Sequence, residues 1–168
     1  FAEAGVQGLF YPGGARQEGG EQLQHLARFG DCVLLVTGVA GAGKSATLAH
    51  FVAQCAPDTR CAVVEVALLD GPEQILRRIL CGLGVDAEGS ADLAHDLQHL
   101  ERVCAQCHDQ GLHSWLVFDD AQHLHLDALG LLAPLLERTA GRLRLLFFAE
   151  PGWEAVLREA LPAALVHV

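Results

Sequence analysis

A three-layer α/β/α sandwich around a parallel sheet of about five strands is the fold class that this sequence of 168 residues predicts, and three observations carry it. Four short runs, Cys32 to Val36, Cys61 to Val66, Trp115 to Phe118 and Leu143 to Phe148, are almost unbroken apolar sequence. Strands read that way when both faces of a parallel sheet are covered. Segments of helical apolar spacing separate the runs, and strand alternating with helix is the pattern of parallel crossover connections. The length suits one domain, 1–168, that builds its own core, with 51% apolar residues and neither an internal repeat nor a low-complexity tract.

The elements follow in chain order. Leu9-Phe10-Tyr11-Pro12 leads into a glycine-rich segment, Tyr11 to Gly20, that reads as a loop ahead of a short helix at Glu21 to Phe29. A strand over Val33 to Thr37 comes next. Leu48, Phe51, Val52 and Cys55 then repeat at i, i+3, i+4 and i+7, one face of a helix. Pro72 suits the first turn of another helix bearing Ile75, Leu76, Ile79, Leu80 and Leu83. Ser90 is the expected cap of a longer one, with Leu93, Leu97, Leu100 and Cys104 on its buried face. Asp127 opens a helix with Leu129, Leu132 and Leu136, expected to bend at Pro134, and Ala164 to Val168 reads as a fifth strand.

Composition excludes several classes of function. Eleven basic residues against twenty-one acidic give a net charge of −10, which opposes contact with phosphate backbones, so direct nucleic-acid binding is not expected. No apolar run approaches the roughly 18 residues that span a bilayer. The stretch is therefore expected to be soluble, with no membrane contact of its own. It opens at Phe1 rather than Met, as a processed or excised piece would. The six cysteines, Cys32, Cys55, Cys61, Cys81, Cys104 and Cys107, fall within apolar periodic segments, so they read as small reduced core residues of a cytoplasmic domain.

Gly38-Val39-Ala40-Gly41-Ala42-Gly43-Lys44-Ser45 satisfies G-x-x-x-x-G-K-[ST] between an expected strand and an expected helix, where a phosphate-binding loop must lie. Backbone N–H groups of this loop, and of Ala46 in the helix that follows, can ring a β-phosphate, where the helix dipole favours negative charge. Lys44 would bridge the β- and γ-phosphates and Ser45 would ligate Mg²⁺. Ten arginines accompany a single lysine, and that lysine stands where a compact ammonium is wanted. The same count leaves no lysine for a guanine-reading N-K-x-D motif, so ATP is the expected nucleotide.

The run Trp115 to Phe118 ends in Asp119-Asp120-Ala121-Gln122. Asp119 is placed to hold the Mg²⁺ shell and Asp120 to orient an attacking water. Two adjacent acids mark the class of P-loop NTPases in which an extra strand separates the two motif strands. The fourth run fills that place and gives an expected order of 5-1-4-3-2, counting the five runs along the chain. Glu150, directly after the fourth run, would then face the γ-phosphate region.

Taken together, Leu9-Phe10-Tyr11-Pro12, the short helix with Leu23 and Leu26, Leu34-Leu35-Val36-Thr37-Gly38 and Phe118-Asp119-Asp120-Ala121-Gln122 resemble the AAA ATPases of the ExeA and MshM secretion and pilus type. The sequence looks closer still to the cytoplasmic ATPase-like domain of bacterial DamX-like cell-division proteins, whose SPOR domain binds septal peptidoglycan. The resemblance implies a protein that continues beyond Val168 into a lid, a membrane helix and a periplasmic domain. It also implies partners in an envelope or division assembly, further copies of the same chain among them. The ExeA type usually has Glu where this chain has Asp120, and Gln where it has Glu150. An arginine finger would lie past Val168.

The expected function is thus an ATP-binding domain of weak or conditional ATPase activity that couples nucleotide state to protein assembly. The rival is an interaction module on a degenerate ATPase fold that needs no nucleotide. A small-molecule kinase would need a lid rich in arginine, and only Arg142 and Arg144 hint at one. Cys104-Ala105-Gln106-Cys107-His108 matches the covalent haem pattern, but both cysteines are expected to face the core, and a zinc site from His99, Cys104, Cys107 and His113 lacks standard spacing. His95 and His99 share a helix face that reads as solvated, His123 and His125 read as surface residues, and no nucleophile elbow or triad pattern is present.

Overall fold

Five parallel strands form one sheet in the order β1-β2-β5-β4-β3 in the computed structural model: Val6–Phe10 (β1), Val33–Thr37 (β2), Thr59–Glu65 (β3), His113–Asp119 (β4) and Leu143–Ala149 (β5). The structure describes residues 6–10, 33–39, 41, 43–55, 57–86, 92–139 and 143–161. The helices are Lys44–Ala53 (α1), Pro72–Gly82 (α2), Leu93–Asp109 (α3), Leu126–Thr139 (α4) and Trp153–Ala160 (α5), with a 3-10 turn at Ala121–His123. The four apolar runs are strands and stand in the expected order, with the fourth between the first and the third. The place beside β2 differs: Val6–Phe10 pairs there, from Val6↔Val33 to Phe10↔Thr37, where Ala164 to Val168 was expected. Val6–Phe10 went unread because a five-residue edge strand with two polar or glycine positions carries little periodic signal. Ala164 to Val168, the Tyr11 to Gly20 loop and the Glu21 to Phe29 helix lie outside the described residues.

Central strands β2, β4 and β5 owe their continuous apolar character to cover on both faces. All five residues of β2 are buried, as are Ser114 to Phe118 of β4 and Leu145 to Ala149 of β5. On one face α1 sets Leu48 and Phe51 against Leu34, Val36, Trp115, Val117, Leu146 and Phe148. On the other, α2, α3, α4 and α5 enclose a larger core in which Phe118 and Phe147 stack with ring centres 5.0 Å apart. Edge strand β3 is covered on one side and only partly, at Cys61, on the other. Ala62 and Val64 are buried against α2, while Val63 and Glu65 on the α1 side are exposed, so the run Cys61 to Val66 is apolar without being wholly buried.

Local chemistry sets the helix starts. Pro72 occupies the first turn of α2, where its missing N–H is no loss, and Gln74 Oε1 accepts from Gly71 N at 3.1 Å. The cap of α3 is Asp92, whose Oδ1 accepts from Ala94 N at 3.1 Å; Ser90, the expected cap, lies outside the described residues. Helix α4 begins at Leu126 and runs through Pro134. The connection from β3 to α2 is anchored by Asp70, a buried carboxylate. Its Oδ2 accepts from Ala67 N at 2.8 Å, and the Arg78 guanidinium meets both of its oxygens, at 2.6 and 3.1 Å. Arg78 also donates to the Glu65 carbonyl. A bidentate guanidinium thus fixes where β3 ends and α2 begins.

The candidate nucleotide site

At the carboxyl end of the sheet, the strand register brings together residues far apart in the chain. Thr37 is level with Ala149, Phe118 with Phe147 and Glu65 with Asp119, so the loop after β2 and the end of β4 open on the same side, one strand apart. Ligands in open α/β sheets bind in this crevice. Gly38 N donates to the Ala149 carbonyl at 3.1 Å, which carries the loop one step past the strand before it turns. Gly41 and Gly43 have φ of 80° and 89°, and Gly43 directly precedes α1. A side chain in that left-handed region would be strained, so glycine suits both positions. Ala40 and Ala42 lie outside the described residues. Val39 is exposed and Ala46 sits in the first turn of α1.

Lys44 folds back over the loop. Its Nζ donates to the Gly38 carbonyl, and to the Val39 carbonyl at 3.0 Å. A phosphate entering the loop would exchange those neutral acceptors for charged ones, a stronger pairing. In the same helical turn Ser45 Oγ donates to Asp119 Oδ2 at 3.2 Å, a contact between residues 74 positions apart. Asp119 is fixed in turn by its neighbours. Its Oδ1 accepts from Asp120 N at 3.0 Å and its carbonyl from Val66 N at 3.2 Å. A hydroxyl and a carboxylate oxygen at this separation are two hard oxygen donors, the kind of set Mg²⁺ takes from protein. The glycines, the ammonium and this pair fit a Mg²⁺-nucleotide.

Asp120 has a φ of 53°, and among the described residues it alone lies in the left-handed region without being glycine. Its exposed carboxylate accepts from Gln122 Nε2 at 3.4 Å. Asp tolerates this conformation better than longer side chains do. A cleft of about 840 Å³ opens beside Asp119 and Asp120, lined also by Ser45, Val63, Glu65, Val66, Ala67, Arg78, Cys81 and Gly82. Sequence reading missed Glu65 and Arg78 here. Glu65 lies inside the apolar run Cys61 to Val66 rather than after it, and only its register with Asp119 brings it to the cleft. Glu150 is exposed immediately after β5, beside the Gly38 end of the loop and outside this cleft.

The other constellations separate. Cys104 and Cys107 are buried in α3 at 1% exposure each, as expected, while His108 and His113 are exposed. His95 and His99 rings lie 6.2 Å apart on the outer face. Among the described residues no group of three or more His, Cys, Asp or Glu side chains is arranged to hold a metal ion. No described helix is long and apolar enough to cross a membrane. The cysteines divide more finely than core residues would. Cys55 and Cys61 are half-buried, Cys81 is exposed on α2, and Cys32 lies outside the described residues. Cys81 and Cys61 differ from expectation because each stands at the flank of edge strand β3, where cover ends.

Comparison with known proteins agrees with this geometry. The family model described as AAA domain matches residues 27–157, more than three quarters of the chain. The chain belongs to that AAA domain family, and its fold is the α/β P-loop fold. The ORC2 protein of Aeropyrum pernix, solved as ADPNP and ADP complexes, is similar over 95% of this chain and 48% of its own, with a TM-score of 0.72 at 16% identity. Cdc6p from Pyrobaculum aerophilum is similar over 90% and 42%, with a TM-score of 0.66 at 18% identity. Drosophila ORC bound to DNA is similar over 72% and 33%, with a TM-score of 0.60 at 19% identity. The chain spans a third to a half of those solved chains. No curated protein matches the sequence.

Proposed function

We propose that this AAA domain binds ATP with Mg²⁺, hydrolyses it slowly, and lets the nucleotide state govern its association with other proteins. One observation carries the reading: the Ser45 to Asp119 hydrogen bond of 3.2 Å joins the first turn of α1, directly after the glycine loop, to the end of β4 across the intervening β5. Lys44 would neutralise the β- and γ-phosphate oxygens, while N–H groups from Gly41 to Ala46 hold the β-phosphate. Ser45 and Asp119 would hold the Mg²⁺, which when bound supplies charge neutralisation at the phosphate oxygens. Asp120 would orient the attacking water. Its short side chain is the reason for slow turnover. Glu150 adds negative charge near the γ-phosphate end. The Aeropyrum pernix ORC2 structures with ADPNP and ADP support a nucleotide role for the shared fold.

The resemblance to the ExeA, MshM and DamX-like type directs the choice of partners to proteins of an envelope or division assembly, on the cytoplasmic side, with further copies of this chain among them. Drosophila ORC is described bound to DNA. A net charge of −10 argues against the same partner here. A second reading, a docking module that needs no nucleotide, is favoured by Asp120, whose carboxylate is short and engaged with Gln122. Calorimetric titration of ATP and ADP, with and without Mg²⁺, separates the two. The expected result is one saturable site, tighter for ATP with Mg²⁺ than without and lost in Lys44→Ala. Failure of the parent chain to bind either nucleotide would overturn the ATPase reading and leave the docking module.

A further inference from the structure

We infer that Cys55 and Cys61 form a redox-active dithiol that closes reversibly into a disulfide by exchange with small-molecule disulfides. Their sulfurs lie 3.1 Å apart, close enough to share a proton, and both residues are half-buried rather than sealed in the core. Formation of an S–S bond of about 2.05 Å needs a sulfur movement of only about 1 Å. Both backbones are held by ordered structure. Cys55 N donates to the Val52 carbonyl at 3.3 Å at the end of α1, and Cys61 lies within β3, level with Trp115 of β4. The turn between them is pinned where His113 N donates to the Asp58 carbonyl at 2.8 Å. Nothing large must rearrange for the sulfurs to meet.

The two thiols are chemically unequal, which sets the order of events. The Cys61 S–H stabilises a thiolate on Cys55 and lowers the pKa of Cys55, while the same contact and burial raise that of Cys61. Cys55 is therefore the attacking thiolate. It forms a bond to one sulfur of the incoming disulfide and expels the other as a thiolate. Cys61, giving up its proton, then attacks the Cys55 sulfur and expels the second small thiol. Two protein thiols are oxidised, one small disulfide is reduced to two thiols, and both protons end on them. The bridge ties the far end of α1, whose near end carries Lys44 and Ser45, to the edge strand that ends at Glu65. Cys104 and Cys107, at 1% exposure, offer no comparable access.

The test equilibrates the 168-residue chain with graded mixtures of oxidised and reduced glutathione, blocks remaining thiols, digests without reduction and reads the peptides by mass spectrometry. The expected product is an intramolecular Cys55 to Cys61 bridge, with Cys104 and Cys107 blocked only after unfolding. Cys55→Ser and Cys61→Ser should instead trap glutathione on the cysteine that remains, and Cys81→Ser should close the bridge like the parent. A trivalent arsenical, which needs two adjacent thiols, should bind the parent at one equivalent, so the parent alone decides if a variant fails to fold. Retention of both thiols across the series, or a bridge that joins Cys55 to any other cysteine, would overturn the inference.

Discussion

Ser45 in the first turn of α1 donates its hydroxyl hydrogen to Asp119 Oδ2 at the end of β4, 3.2 Å away, with β5 lying between β4 and the strand that leads into α1. Each member should therefore be needed for the metal-dependent part of nucleotide affinity. Ser45→Ala and Asp119→Asn are expected to bind ATP equally well with and without Mg²⁺, at the affinity the parent shows without it. Titration in magnesium and in chelator checks this. A full magnesium effect in both variants would remove the pair from the metal site.

Lys44 sits one residue earlier and donates to two carbonyls of its own loop. Charge-assisted contacts to phosphate are among the stronger hydrogen bonds, so Lys44→Ala should cost about 2 kcal/mol or more in ATP binding. The loop keeps its glycines and its bond from Gly38 to Ala149, so the melting temperature should move little. Calorimetry and thermal unfolding of the same variant read both quantities.

Burial raises the Cys104 thiol to about 12, with Cys107 and Glu101 adding in the same direction. Unfolded, the thiol would ionise near 9.0, its ordinary value. Between those values the unfolded chain binds fewer protons than the folded one, so stability falls as pH rises through that window. Urea midpoints measured at intervals upward from pH 8 should decline, and Cys104→Ala should decline less steeply from a lower start. Native-state alkylation of Cys104 should stay slow throughout, because access requires opening of α3.

Much of this was legible because the chemistry demanded it. A phosphate loop needs glycine where φ is positive and lysine at one position, so the sequence from Gly38 to Ser45 could be read residue by residue, and the apolar runs that become β2, β4 and β5 follow from double cover. Val6–Phe10 was not legible, since short edge strands gain their place from the neighbour they pair with rather than from periodicity. The same reason hid the half-buried state of Cys61. Its run is as apolar as the central ones, and only the edge position of β3 leaves one face partly open. Glu65 was missed as a lining residue of the cleft because register between β3 and β4 is a tertiary fact.

Asp70 accepts from Arg78 through both oxygens and from Ala67 N, while it is itself 7% exposed. Arg78→Ala leaves that carboxylate buried with a single backbone donor. An unsatisfied buried acceptor costs roughly 1 to 3 kcal/mol, and the half-exposed guanidinium places this case toward the lower part of that range. Arg78→Lys should recover only part of the loss, because a point charge cannot span both oxygens. Denaturant unfolding of the three proteins measures it, and a parent-like midpoint in Arg78→Ala would show that water replaces the guanidinium freely.

Turnover by this chain should be slow, and Asp120 supplies the cause. A water-orienting carboxylate must reach the γ-phosphate, and Asp is shorter than Glu by one methylene. A misplacement of about 1 Å can cost on the order of 10²-fold in rate. The backbone explains why the shorter residue is tolerated. Asp120 stands at φ 53° and ψ 42°, a left-handed conformation that costs most residues roughly 1 to 2 kcal/mol and Asp less. Asp120→Glu should consequently melt slightly lower than the parent while gaining reach. Glu150 lies beside the Gly38 end of the loop, and a carboxylate there opposes ATP more than ADP, since only ATP carries the γ-phosphate. Glu150→Gln should narrow the gap between the two nucleotides. The double variant should turn over faster than either single one, most clearly when partners are present to complete the site. Steady-state phosphate release checks this: brisk multiple turnover by the unmodified chain would show that the catalytic acid lies elsewhere, with Glu65 the next carboxylate along the cleft, and no gain in the double variant would favour the docking module.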